Sequence, residues 1–258
     1  MLDSVVSYRG SVWEHSGMGE LNTMPPVHRL DLATVRLPKT HPAAAWSATV
    51  PVYGFCIEHP DGAILVDTGV GFGNEFIDAI YKPQRNVLDE LLGALGISNV
   101  VAVVNSHLHF DHCGQNSTFY GSTTQFYAQG AEIQSVHRDP TYTDRDWALA
   151  PELQQRVIHG DERLADGVRI VATPGHTAGH QSVVVEAAGQ RVVIGAQVVW
   201  HASEFETEQP SAANVDDIRD LQFAAVDSIR RLKALKADVI HLSHCRAYRP
   251  PRPDSAAS

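Results

Sequence analysis

Three histidines and an aspartate fall within six consecutive positions: His107, His109, Asp111 and His112, in the stretch NSHLHFDHCG. Imidazole and carboxylate are ordinary zinc ligands. Four such groups are costly to bury without a cation to compensate them. His107 and His109 are two apart, so at a strand end both can face the same side. Asp111 and His112 follow in a turn and can point toward a neighbouring position. The chemistry such a set supports is water activation, because a bound divalent ion lowers the pKa of water to about 7. A solvated, histidine-rich loop is the competing reading, and for an isolated His-x-His it is the better one. Here the run VVAVV precedes the cluster and Gly114 follows it, giving a strand and then a tight turn. That placement favours the metal.

His176 in TPGHTAGH and His244 in HLSHC each follow a run that reads as a strand, and they are the candidate distant partners. His180 and His241 are their rivals. His241 alternates with Ile240 and Leu242 in an apolar strand, which suits a hydrogen-bonded core histidine. His180 suits a supporting role beside the ligands. Cys113 adjoins His112, but its neighbours suit a small packing residue better than a nucleophile. No GxSxG occurs.

These residues need elements to position them. VPVYGFCIEHPDGAILVDTG reads as a hairpin around HPDG, ending at Asp67. NEFIDAI and NVLDELLGALG read as helices, the second stopped at Gly96. VVAVV is a strand buried on both faces. TQFYAQG suggests a strand and AEIQSVH a short helix. DPTYTDRDWALAPELQQRVI reads as a polar insertion with helical parts. GVRIVATPGH and QSVVVEAAGQRVVIGAQ supply three strands, the last two joined at AAGQ. NVDDIRDLQFAAVDSIRRLKAL is an amphipathic helix capped by Asn214 or an Asp. ADVIHLSHC closes with a strand. The strands come in two groups, each followed by helix, so a single α/β sandwich with sheets inside fits best. Residues 1–45 read as an N-terminal arm that could hold one strand, and 249–258 as a flexible tail.

Hydrophobic residues make up 43% of the 258 positions, enough for a sizeable core. A formal charge of -10 argues against general affinity for nucleic acid or anionic membrane. No apolar run approaches a membrane span, and the first 20 residues do not read as a signal peptide. A soluble, cytoplasmic protein with a small-molecule substrate is expected. Three widely spaced cysteines argue against a disulfide framework. The Pro-rich arm is a weak pointer to a homodimer.

From about residue 50 to residue 248 the chain resembles the metallo-β-lactamase fold superfamily. Within it, SHLHFDHCGQN and TPGHTAGHQSV look most similar to the N-acyl homoserine lactonase family. The resemblance implies an αββα sandwich, a metallo-hydrolase domain over 46–248 and a two-metal site at the sheet edges. It implies that His107, His109 and His176 bind one ion and that Asp111, His112 and His244 bind the other. Zinc is the expected metal, as one or two ions, with cobalt, manganese or iron as substitutes. Asp67 matches an aspartate that supports such sites, and it reads equally well as a strand-end turn residue. The implied reaction is opening of a lactone ring by attack of metal-bound hydroxide, with Asp111 passing a proton to the leaving alkoxide.

The pattern breaks at VVIGAQVVW. Where the family bridges its metals with an aspartate, this chain has Gln197. An amide oxygen can coordinate a cation, so Gln197 joins the candidate ligands, but it brings no charge and shields two ions poorly. Shifting the alignment by one residue gives Ala196 and restores no acid. Glu204 and Glu206 could substitute only if the following loop folds back. Three residues past Gln197 the family has a tyrosine, and here Trp200 stands there. Trp200 reads as an aromatic wall for an acyl chain. Tyr53, Tyr142 and Trp147 are alternatives to that tyrosine, each better explained by packing. The competing functions are hydrolysis of another ester, thioester, β-lactam or phosphodiester, metal binding without catalysis, and an iron redox role.

Overall fold

The computed structural model describes residues 5–8, 27–214 and 219–250. Its first sheet contains β1 (Val5–Tyr8), β2 (Val27–Arg36), β3 (Thr49–Ile57), β4 (Ala63–Val66), β5 (Gln84–Arg85), β6 (Val100–Val104), β7 (Gln125–Gln129) and β8 (Gln154–Ile158). They lie in the order β1-β2-β3-β4-β6-β7-β8, with β5 paired to β2. The second sheet contains β9 (Glu162–Ala165), β10 (Val168–Ala172), β11 (Gln181–Ala187), β12 (Gln190–Ala196) and β13 (Val239–Leu242), in the order β13-β12-β11-β10-β9. The helices are α1 (Glu75–Tyr81), α2 (Leu88–Ala94), α3 (Phe110–Cys113), α4 (Gly130–Arg138), α5 (Arg145–Ala148), α6 (Ser203–Thr207) and α7 (Arg219–Ala234).

Side-chain alternation sorts these elements into layers. In β6, Ala102 and Val104 face the second sheet, while Val103 faces the opposite way. In β11, Val183 and Val185 face the first sheet, while Val184 turns outward. The inner core therefore joins Phe55, Ile64 and Val66 to Ile170, Val185 and Ile194. On the far side of the first sheet, Ile77, Leu88, Leu92 and Val136 bring in α1, α2 and α4. On the far side of the second, Phe205, Ile229 and Leu232 bring in α6 and α7. Full burial of one such side chain stabilises the fold by about 1.5–3 kcal/mol. The outcome is the αββα sandwich that the sequence resemblance implies.

The hairpin around HPDG is β3–β4, with Cys56 opposite Leu65. The AAGQ turn joins β11 to β12, with Ala188 at φ 49 and Gly189 at φ 78. Two consecutive positive φ angles are what a tight hairpin of this twist requires. α1 starts at Asn74, whose side chain accepts from the Ile77 amide at 3.0 Å. The one strand expected in the arm is β2, hydrogen-bonded to β3 along its length, with Leu30 and Leu32 fully buried. The expected insertion after residue 138 holds one helical turn, α5, and then the unforeseen strand β8. α7 begins at Arg219, and Asn214, one of the expected caps, instead donates its side-chain N–H to the Val198 carbonyl at 2.9 Å; the aspartate candidates Asp216 and Asp217 lie outside the described residues, as do 1–4, 9–26 and 251–258. No helix among the described residues is long and apolar enough to cross a membrane.

Candidate metal centre

The carboxyl ends of β4, β6, β10, β12 and β13 gather at one edge of the sandwich and carry Asp67, the 105–112 segment, His176, Gln197 and His244 respectively. The two sheets are laced together there. The Gln181 amide nitrogen donates to the Ser106 carbonyl at 2.8 Å, and its side chain donates to the Asn105 carbonyl at 2.8 Å. The Tyr53 amide donates to the Ser243 carbonyl at 2.8 Å.

The expected turn after β6 is one helical turn, α3, in which the His112 amide closes on the His109 carbonyl at 3.0 Å. Gly114 follows in ordinary right-handed geometry, so a tight turn is not its reason. A Cβ at Gly114 would lie 1.9 Å from the Gly71 nitrogen. Only a hydrogen side chain lets the 69–71 segment pass, and the Gly114 amide bonds the Gly69 carbonyl at 2.7 Å.

His107, His109 and His176 meet. His107 Nε2 is 3.0 Å from His109 Nδ1, and His176 Nε2 lies 3.2 and 3.1 Å from those two atoms. Their other nitrogens fix the tautomers. His176 Nδ1 donates to the Asn214 carbonyl at 2.7 Å. His107 Nδ1 faces Ser106 Oγ at 3.1 Å, and that hydroxyl already donates to Asp67. Both Nε2 atoms therefore present lone pairs to each other, which is repulsive unless a cation lies between. Tetrahedral zinc–nitrogen bonds of about 2.0–2.1 Å set neighbouring nitrogens roughly 3.3 Å apart, close to this spacing.

Asp111, His112 and His244 form a second group. Asp111 Oδ2 is 3.6 Å from both His112 Nε2 and His244 Nε2. His244 Nδ1 donates to the Pro51 carbonyl at 2.8 Å. His112 Nδ1 donates to Asp67 Oδ2 at 2.8 Å, and its buried Nε2 has no hydrogen-bond partner among the described residues. Asp67 sits at φ 65 and also accepts from the Ser106 amide and hydroxyl, each at 2.7 Å. Its carboxylate thus holds the tautomer that frees His112 Nε2. Gln197 Oε1 lies 2.9 Å from His244 Nε2, so a fourth donor atom joins this group. In each trio the ligating atoms lie within 4.8 Å of one another. The donors, their tautomers and the orphaned His112 nitrogen fit a pair of divalent ions.

The sequence pattern described as the metallo-beta-lactamase superfamily matches residues 49–244. The chain belongs to that superfamily. It is similar to an N-acyl homoserine lactonase of a Bacillus species, 30% identical over 199 residues, which are 71% of this chain and 76% of the relative. A mutant of Bacillus thuringiensis AiiA, solved with N-decanoyl-L-homoserine bound at the active site, superposes with a TM-score of 0.70 at 25% identity, covering 86% of this chain and 94% of that one. AidC, a dizinc quorum-quenching lactonase, shares the fold with a TM-score of 0.61 at 15% identity, over 92% of this chain and 96% of AidC.

Both groups of this superfamily member open into one cavity of about 330 Å³. His109, Asp111, His176, Gln197 and His244 reach it, and Leu37, Val50, Phe110 and Trp200 give it apolar wall. Trp200 stacks on His244 with ring centroids 4.8 Å apart. Electrostatics distinguish the two groups in the metal-free chain. Burial, then the neighbouring imidazoles, hold His107 well below the ordinary histidine pKa, and burial first brings His109 to about 4. Burial opposes charge on His112 too, but Asp111 and Asp67 together outweigh it and lift the ring to about 9.

The remaining candidates lie elsewhere. His180 Nδ1 bonds the Thr173 carbonyl at 3.0 Å, and the ring stands 5.6 Å from His107 without joining either trio. His241 packs between the sheets, 5.1 Å from the Phe55 ring. Glu204 accepts from the His201 and Ser211 amides, both at 2.9 Å, and so staples its own loop. Glu206 is exposed. Neither supplies a second carboxylate to the trios. Tyr53 lies under the Arg29 guanidinium at 4.3 Å, and Trp147 packs against Gly71. Burial pushes the Cys113 thiol far above its usual pKa, and Sγ bonds the His109 carbonyl at 3.4 Å.

Glu132 was missed. It is 1% exposed, on α4, and its carboxylate accepts from the Leu108 amide at 2.8 Å, Thr177 Oγ1 at 2.7 Å, the Gly179 amide at 3.2 Å and the Tyr142 hydroxyl. It therefore ties the backbone between His107 and His109 to the loop after His176. Tyr142, a tyrosine considered for the substrate, is committed to this carboxylate. The only sequence signal was an acid near the start of a short helix, which ordinarily marks a solvated face.

Proposed function

We propose that this chain opens a lactone ring by metal-assisted addition of water, that its substrates are N-acyl homoserine lactones, and that zinc is the resident ion. The supporting observation is that two donor groups, with tautomers set to present lone pairs, meet on the floor of one cavity with apolar walls. The relatives' activity points the same way. When bound, the ions lower the pKa of water toward neutrality and polarise the ester carbonyl.

His107, His109 and His176 would hold one ion. Asp111, His112 and His244, with Gln197 Oε1, would hold the other. Asp67 keeps His112 Nε2 free for that role. The water oxygen adds to the lactone carbonyl carbon, and the ring C–O bond breaks. The Asp111 carboxylate takes the proton from water and delivers it to the departing ring oxygen, so the product is the hydroxy acid. Phe110, Leu37 and Trp200 form the wall along which an acyl chain lies.

The test is ring opening before and after exhaustive chelation, then with zinc, cobalt or manganese restored, alongside open-chain esters and thioesters. Loss and recovery with metal, and lactone rates well above ester rates, are expected. Activity that survives chelation overturns the metal role. Ester rates equal to lactone rates overturn the substrate class and favour the broader hydrolase reading.

A further inference from the structure

His41 precedes a single 3₁₀ turn, Pro42–Ala45, and its Nδ1 accepts from the Ala43 amide at 3.1 Å. Burial holds its pKa below the ordinary histidine value, so the ring is neutral near pH 7. A neutral imidazole whose Nδ1 accepts must carry its proton on Nε2. That N–H has no partner among the described residues. The backbone that carries the ring is held on both sides. The His41 amide donates to the Pro38 carbonyl and its carbonyl accepts from Ala44, both at 2.9 Å. Pro42 stiffens the backbone that follows.

His41 lines the same cavity as Asp111, Gln197 and His244. Its ring packs on Trp200 at 5.1 Å, and Trp200 packs on His244 at 4.8 Å. One indole layer therefore separates it from the metal-facing imidazole. That places the His41 imidazole on the lining of the cavity, one ring back from His244. Among the hydroxyls that line the cavity, that of Tyr142 is spent on Glu132 and that of Thr141 on Asp139.

We infer that His41 Nε2 donates a hydrogen bond to the side-chain amide oxygen of an N-acylated lactone, making it a recognition residue for the acyl-amide group. The inference rests on the lactonase reading above. A lactone with an alkyl substituent and no amide offers no acceptor at that position. His41 thus separates the two kinds of lactone while taking no part in bond breaking.

The experiment compares N-decanoyl homoserine lactone with an alkyl γ-lactone of similar length, in the metal-loaded wild type and in His41→Phe and His41→Gln. Loss of one hydrogen bond to a desolvated carbonyl corresponds to about a tenfold weakening. His41→Phe is expected to raise KM about tenfold for the N-acyl lactone, with kcat within about twofold, and to leave the alkyl lactone unchanged. His41→Gln, which keeps an N–H donor, is expected to recover most of the loss. Calorimetric titration with the ring-opened product, N-decanoyl homoserine, should show the same tenfold change in Kd. Equal effects on both lactones, or no effect on either, overturn the assignment. A wild type that opens neither lactone removes the activity itself and this assignment with it.

Discussion

Glu132→Gln tests whether one buried carboxylate clamps both metal-facing loops. Oε1 takes the Leu108 amide and the Tyr142 hydroxyl, and Oε2 takes Thr177 Oγ1 and the Gly179 amide. Glutamine has the same shape, but one oxygen becomes an NH₂. Whichever end changes, one hydroxyl and one backbone N–H then face a donor. The hydroxyl can rotate, and the N–H cannot. A buried unsatisfied donor costs about 1–3 kcal/mol, and the surviving bonds lose their charge assistance. Relief of desolvation, which pushes the Glu132 pKa up, offsets part of this. The net loss is about 1–3 kcal/mol, or roughly 2–12 °C in Tm for a chain of this size. Urea and thermal unfolding of the metal-free proteins measure it, and zinc titration follows the loops. Stability within about 0.5 kcal/mol of wild type, with unchanged zinc affinity, would refute the clamp.

Other perturbations read the same site. Gln197→Glu adds a charge at unchanged side-chain length beside His244; the weaker-held ion should bind about 10–100-fold tighter, counted by metal analysis after dialysis, because a unit charge at 4 Å gains roughly 4 kcal/mol per unit of cation charge before desolvation is subtracted. Asp67→Asn lets an NH₂ face His112 Nδ1 and pushes the proton to Nε2; metal affinity at the Asp111 group should fall about 10–100-fold, measured by competition with a chromogenic chelator. In the metal-free protein the raised His112 pKa stabilises the fold fully below the unfolded value near 6.5, and that contribution disappears as pH rises through about 9. Metal binding at this group must therefore expel a proton, and its affinity should rise up to tenfold per pH unit between about 6.5 and 9, while the His107 group, already neutral, stays flat there. Calorimetry in buffers of different ionisation enthalpy separates the two.

Much of the frame was legible because hydrophobic pattern and burial agree. VVAVV is flanked by packed side chains on both faces, and HPDG contains residues that few strands accept. The trios were legible for a different reason: few environments tolerate so many imidazoles beside one aspartate. β8 was not legible, since QQRVI at a sheet edge leaves most of its residues in solvent and shows no alternation. Asp67 had two equal readings in the sequence, and a 2.8 Å contact to a histidine 45 positions away distinguishes them. Glu132 and His41 were invisible for one shared cause. Their roles depend on a partner atom's proton, and residue type alone does not reveal where that proton points.

The donors at the site come from opposite sides of the sandwich, with His107 to His112 on the loop after β6 and His176, Gln197 and His244 on the loops of the second sheet. An ion seated among them is a rivet as well as a reagent. Removing it should let the two leaves of the molecule breathe apart at this rim, so amide hydrogens of residues 105–109 and 176–181 should exchange faster while those at the far end of the strands keep their pace.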